Sequence, residues 1–127
     1  MKAPAELQVQ IFGRRDSRDT QRALRFFSER RIKVSFVDVA RKPPAVGELR
    51  RFSERFGAAA LLDTESRVYR DAGLAYMSMG DAEVFERLIP ASRLIRLPLV
   101  RAGARISVGV DEAAWKGWLA TSSAGAA

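Results

Sequence analysis

The sequence predicts an α/β domain, a mixed four-stranded sheet flanked by helices, with a helical insertion. Three observations carry that prediction. The chain opens with a strand, an amphipathic helix and a second strand at βαβ spacing; it closes with a glycine-turned hairpin and a Trp-bearing helix; between them lies a stretch without strand periodicity.

The first strand is LQVQIF (Leu7 to Phe12), which alternates and ends in an apolar pair. TQRALRFFSERR (Thr20 to Arg31) follows as a helix, with Ala23, Leu24, Phe26 and Phe27 on one broad face and Ser17 or Asp19 as its cap. KVSFVDV (Lys33 to Val39) is β-branched and aromatic and reads as a buried second strand, parallel to the first. After the break at Pro43 and Pro44, a helix turns Val46, Leu49, Phe52 and Phe56 inward and stops at Gly57. Residues 58 to 80 hold short helical pieces around Leu61 and Tyr69, and DAEVFERLI (Asp81 to Ile89) is a helix capped by Asp81. RLIRLPLV and RISVGV pair as an antiparallel hairpin around Gly103, and DEAAWKGWL ends the order with Asp111 as cap and Trp115, Trp118 and Leu119 as the buried stripe. This βαβα, insertion, ββα order is that of a thioredoxin-like domain.

The 127 residues suit a single domain over residues 1–120, with 121–127 as a disordered tail. Hydrophobic content of 47% and charged content of 29% are those of an ordinary globular protein. No apolar run reaches bilayer length and MKAPAELQVQ has no signal-peptide apolar core, so the expected location is the cytoplasm, of bacterial type.

Two absences bound the chemistry. The chain has no cysteine, which excludes thiolate nucleophiles, mixed disulfides and Cys-ligated metals. It has no histidine, which removes the usual general base and the commonest transition-metal ligand. None of the four lysines has the spacing of a serine–lysine dyad, and there is no glycine-rich phosphate loop. No cofactor and no metal site are expected. The net charge of +7 is carried entirely by residues 1 to 55, with 14 Lys and Arg against 7 Asp and Glu. Residues 56 to 127 balance at 8 against 8. Arginine makes up 18 of the 22 cations, and its planar fork suits carboxylate and phosphate partners. Arg25, Arg30, Arg31, Arg50, Arg51 and Arg55 fall on outer helix faces, but the neighbouring Phe residues read as core, which argues for a protein partner, acidic in character, over nucleic acid.

Three segments resemble the arsenate reductase and Spx family of thioredoxin-like proteins. VQIFGRRDSRDTQRAL is similar to the family's strand and Cys-x-x-Cys or Cys-x-x-Ser loop, followed by an Arg and a helix. LLDTESRVYRDAGL resembles its Asn-Thr-Arg segment with a downstream Tyr and Gly-Leu. LIRLPLVRAGARISVGVDEAAW resembles its Arg-Pro-(Ile/Leu)-Val hairpin and the acidic helix start beyond it. The resemblance puts Ser17 at the position of the nucleophilic cysteine and Thr20 at the second Cys or Ser. Gln21 replaces the following Arg, with Arg22 adjacent. Asp63 and Glu65 replace the Asn and Arg of the second segment, and Leu97 replaces the Arg before the proline, with Arg96 one step earlier. Pro98 is kept, and the resemblance implies a cis peptide there.

The nucleophile and the three anion-binding arginines of the pattern are thus lost together. A helix N-terminus shifts a charge equilibrium by about 0.3–1 kcal/mol, under one pKa unit, so Ser17 does not acquire thiolate reactivity from it. The expectation is a non-catalytic relative acting through protein contacts, as a regulatory or accessory domain. The alternatives are an oxyanion- or glutathione-binding module built on Arg15, Ser17, Arg18, Thr20, Arg22 and Arg96, or a reductase that borrows an external thiol.

Overall fold

The computed structural model describes residues 7–126, with side chains as far as Thr121. Four strands, β1 (Val9–Gly13), β2 (Val34–Asp38), β3 (Leu99–Ala102) and β4 (Arg105–Val108), form one sheet in the order β2-β1-β3-β4. β1 runs parallel to β2, with Phe12 opposite Val37, and antiparallel to β3, with Phe12 opposite Leu99. β3 and β4 close the antiparallel hairpin, and Gly103 at its turn has φ 66°, a conformation open to glycine at little cost. The mixed sheet and the α/β class are as the sequence predicts.

Period-two alternation divides the core between the two faces of the sheet. Val9, Ile11, Val100 and Ala102 point to one face, where α1 (Arg18–Glu29) and α5 (Glu112–Ala126) cover them with Phe26, Phe27, Trp115 and Trp118. The Phe26, Phe27 and Trp115 rings stand with centroids 5.0 to 5.3 Å apart. The Trp115 Nε1–H donates to the buried Ser107 Oγ at 2.9 Å, so the indole is buried without an orphaned donor. Phe12, Leu99 and Ile106 point to the other face, against Leu49 and Phe52 of α2 (Val46–Phe56) and Val84, Phe85 and Leu88 of α4 (Asp81–Leu88). The insertion between α2 and α4 consists of 3-10 turns at Ala58–Leu61 and Leu74–Tyr76 around the single-turn-length α3 (Arg67–Asp71).

Three details depart from the sequence reading. β2 is half-buried rather than buried, because it is the edge strand of the sheet. Val46 and Phe56, at the two ends of α2, are 41% and 38% exposed, since only Leu49 and Phe52 lie at the middle of the contact with the sheet. Asp81 does not cap α4. Its Oδ1 instead accepts the Ala58 N–H at 2.7 Å, tying the start of α4 to the turn after α2, and Gly80 occupies the cap position. α5 runs from Glu112 to Ala126, with the Thr121 hydroxyl donating to the Gly117 carbonyl at 2.8 Å, and Ala127 lies outside the described residues.

Tyr69 and Met79 pack against the core from the insertion, while Tyr76 is 94% exposed. Among the described residues no helix is long and apolar enough to cross a membrane.

Candidate functional site

β1 ends at Gly13, and the chain turns through Arg14, Arg15 and Asp16 before entering α1 at Ser17. The local sequence dictates the turn. The Ser17 N–H donates to the Arg14 carbonyl at 3.0 Å, and Ser17, in extended backbone with φ −91° and ψ 122°, uses its Oγ to accept the Thr20 N–H at 3.1 Å. This is an N-cap, which satisfies one of the free amides of the first helical turn. Thr20 is fully buried, and its Oγ1 receives the Arg14 N–H at 3.4 Å. A Cβ added to Gly13 would lie 2.5 Å from Thr20 Oγ1 and Cγ2, so the strand end must be glycine for α1 to pack this closely. Gln21 Nε2 donates to the Arg15 carbonyl at 2.9 Å and straps the loop from the helix side.

Beside this loop lies a cleft of about 360 Å³, bordered by Arg14, Ser17 and Asp19, by Leu62, Asp63, Thr64 and Glu65, and by Arg96 and Leu97. Its second wall is built by the bridge between Leu62 and Ile95 and by the Asp63 N–H donating to the Leu94 carbonyl at 2.8 Å. Asp63 Oδ1 accepts the Glu65 N–H at 3.1 Å, and Ser66 caps α3 by accepting the Tyr69 N–H at 3.1 Å. The third wall contains the cis Leu97–Pro98 peptide. Leu97 is buried, and Arg96 lies against Gly109, where an added Cβ would stand 2.9 Å from the Arg96 Nε. Gly109, with φ 72°, leaves the room that this guanidinium occupies.

Two guanidiniums and three carboxyl groups border the cleft, and a dianion such as arsenate is disfavoured by that balance. Arg14 is also partly engaged, with its Nε donating to Asp16 Oδ1 at 3.0 Å, while Arg93 approaches the other Asp16 oxygen at 3.7 Å. The hydrogen bond from Arg14 is the main cause that holds the Asp16 carboxyl below its ordinary value of 3.8; the charges of Arg14 and Arg93 add to it against the opposing effect of desolvation. No group of three His, Cys, Asp or Glu among the described residues is placed to hold a metal ion.

The structure divides the six anion-binding residues expected from the sequence. Ser17 and Arg96 border the cleft, while Arg15, Arg18 and Arg22, with Ser17 again, border a separate outer groove of about 700 Å³ along the start of α1. Thr20 borders neither and is a packing residue. Arg22 is paired with Glu112 of α5 at 3.0 Å. Thr64, which also borders the cleft, is absent from the set expected from the sequence, although the resemblance of the second segment marks the neighbouring Asp63 and Glu65.

The site is built from a strand, a short loop entering a helix, a cis-proline segment and a third segment closing the cleft, and residues 12–118 match the profile of the ArsC family. The chain belongs to the ArsC family. Among solved structures, the YFFB protein superposes with a TM-score of 0.80 at 20% identity, covering 87% of this chain and 98% of its own. An ArsC family related protein from Bacteroides fragilis gives 0.80 at 19% identity, covering 89% of this chain and 98% of its own. Arsenate reductase from Vibrio cholerae gives 0.71 at 17% identity, covering 80% of this chain and 89% of its own. At these identities the likeness is one of fold. No curated protein sequence matches the chain. This ArsC-family chain has no cysteine, and Ser17, in the loop entering α1, has its hydroxyl oxygen bound by the Thr20 N–H of its own helix.

Proposed function

We propose that this protein is a non-catalytic ArsC-family domain that works in the cytoplasm as a regulatory or accessory subunit, through contacts with a protein partner. One observation carries the reading: the Ser17 Oγ serves as the cap of α1, accepting the Thr20 N–H at 3.1 Å, and no cysteine or histidine exists in the chain to activate or replace it. An unactivated hydroxyl with its oxygen engaged in this way is a poor nucleophile. The acidic balance of the cleft supports the same conclusion, because an oxyanion substrate would meet Asp19, Asp63 and Glu65 alongside Arg14 and Arg96. Retaining the fold without the chemistry leaves the surface as the working part, and the excess charge of residues 1 to 55 gives that surface a polarity.

Affinity capture at native expression level tests the proposal. The expected result is one stoichiometric protein partner, retained less well as salt rises. Recovery of the chain alone under gentle conditions, or of a thiol-containing redox partner that it turns over, would contradict it.

A further inference from the structure

We infer that the outer face of α1 is the docking surface for an acidic segment of a partner protein, an inference that rests on the protein-contact reading above. Arg18, Arg22 and Arg25 stand at i, i+4 and i+7, which places them along one side of the helix, and together with Arg15 they border the outer groove. All four are solvent-exposed. The seven steps from Arg18 to Arg25 cover about 10 Å along the axis at about 1.5 Å per residue.

The pairing of these cations is incomplete. Arg22 has Glu112 at 3.0 Å, but Arg18 and Arg25 have no ion-pair partner among the described residues. Of the two carboxylates bordering the groove, Asp16 is turned to Arg14 and Arg93 at 3.0 and 3.7 Å, and Asp19 is, among the described residues, the only groove carboxylate outside an ion pair. Arg15 is held in place, with its guanidinium 4.8 Å from the Phe36 ring centroid and its carbonyl bound by Gln21.

The geometry selects the occupant. Guanidiniums strung along a helix suit a row of carboxylates, such as glutamates at i, i+4 and i+7 of a partner helix, better than one phosphate or arsenate, which needs donors converging on a point. Bases would need exposed aromatic faces to stack on, but Phe26 and Phe27 are buried and the Phe36 ring is covered by Arg15.

The test is fluorescence anisotropy with a labelled helical peptide bearing glutamates at i, i+4 and i+7, titrated with the whole protein. R18E/R25E is compared with R41E/R55E, which makes the same change of net charge at exposed positions outside the groove; circular dichroism verifies that both fold. We expect saturable binding that weakens by about ten-fold in R18E/R25E, stays within about two-fold in R41E/R55E and falls with salt. Equal weakening in both variants would overturn the docking surface, as would tighter binding of an oligothymidylate or saturable binding of inorganic phosphate in place of the peptide. Turnover of substrate by the unaltered protein would instead overturn the protein-contact reading and leave the peptide result standing, so the two failures are distinguishable.

Discussion

The Ser17 hydroxyl oxygen accepts the backbone N–H of Thr20 at 3.1 Å, and this one bond joins the chemistry of the loop to its architecture. Ser17 occupies the position that the family resemblance assigns to the nucleophile, and Thr20 that of the second Cys or Ser. In this chain the pair is a helix cap above a buried packing residue.

Replacing Ser17 with Ala is therefore expected to cost about 1 kcal/mol of stability, the usual loss for a serine N-cap, while Asp at the same position retains most of it. Urea unfolding of the three proteins measures this directly. A neutral S17A result would mean that the cap does not hold the helix start.

Gly13 and Thr20 are expected to be coupled. Gly13→Ala brings a Cβ to within 2.5 Å of Thr20 Oγ1 and Cγ2, and overpacking of this kind costs about 1–3 kcal/mol. Thr20→Ala removes both of those atoms. In a double-mutant cycle the G13A/T20A protein should be more stable than the sum of the two single losses implies. Additivity would show that the two residues do not share the contact.

The fold was legible where residue pattern and tertiary position agree. The alternation in Val9–Phe12, the paired Phe26 and Phe27, the hairpin at Gly103 and the anchor Trp115 could all be recognised from composition and spacing. Three features could not. The predicted burial of β2 rested on its β-branched content, but burial depends on whether a strand is central, and β2 is at the edge. Asp81 has the residue type and place of a cap, yet Ala58, 23 residues earlier, competes successfully for its carboxylate. Five of the six residues of the anion-binding set are neighbours in sequence, but Arg15 in the loop and Arg18 and Arg22 on the helix turn outward while Thr20 turns inward. The cleft itself is non-local, joining residues 14–19, 62–65 and 96–97, so only the family resemblance could bring those segments together beforehand.

Asp16 gives a pH signature. Its carboxyl is held below 3.8 chiefly by the Arg14 hydrogen bond, so its folded-state value is depressed relative to the unfolded chain. The associated stability is present above the unfolded value and is lost as pH falls through the folded one. A carboxyl-carbon NMR titration should place the Asp16 midpoint below 3.8, and Arg14→Gln should move it upward. An unchanged midpoint in R14Q would remove Arg14 as the cause.

NADPH-linked arsenate reduction by the purified chain, supplied with glutathione and glutaredoxin or with thioredoxin and its reductase, tests the non-catalytic reading most directly. NADPH consumption is expected to be indistinguishable from that of the mixture without the protein, for wild type and S17A alike. Turnover that scales with wild-type protein and disappears in S17A would contradict that reading, because the hydroxyl that caps α1 would then be a working nucleophile.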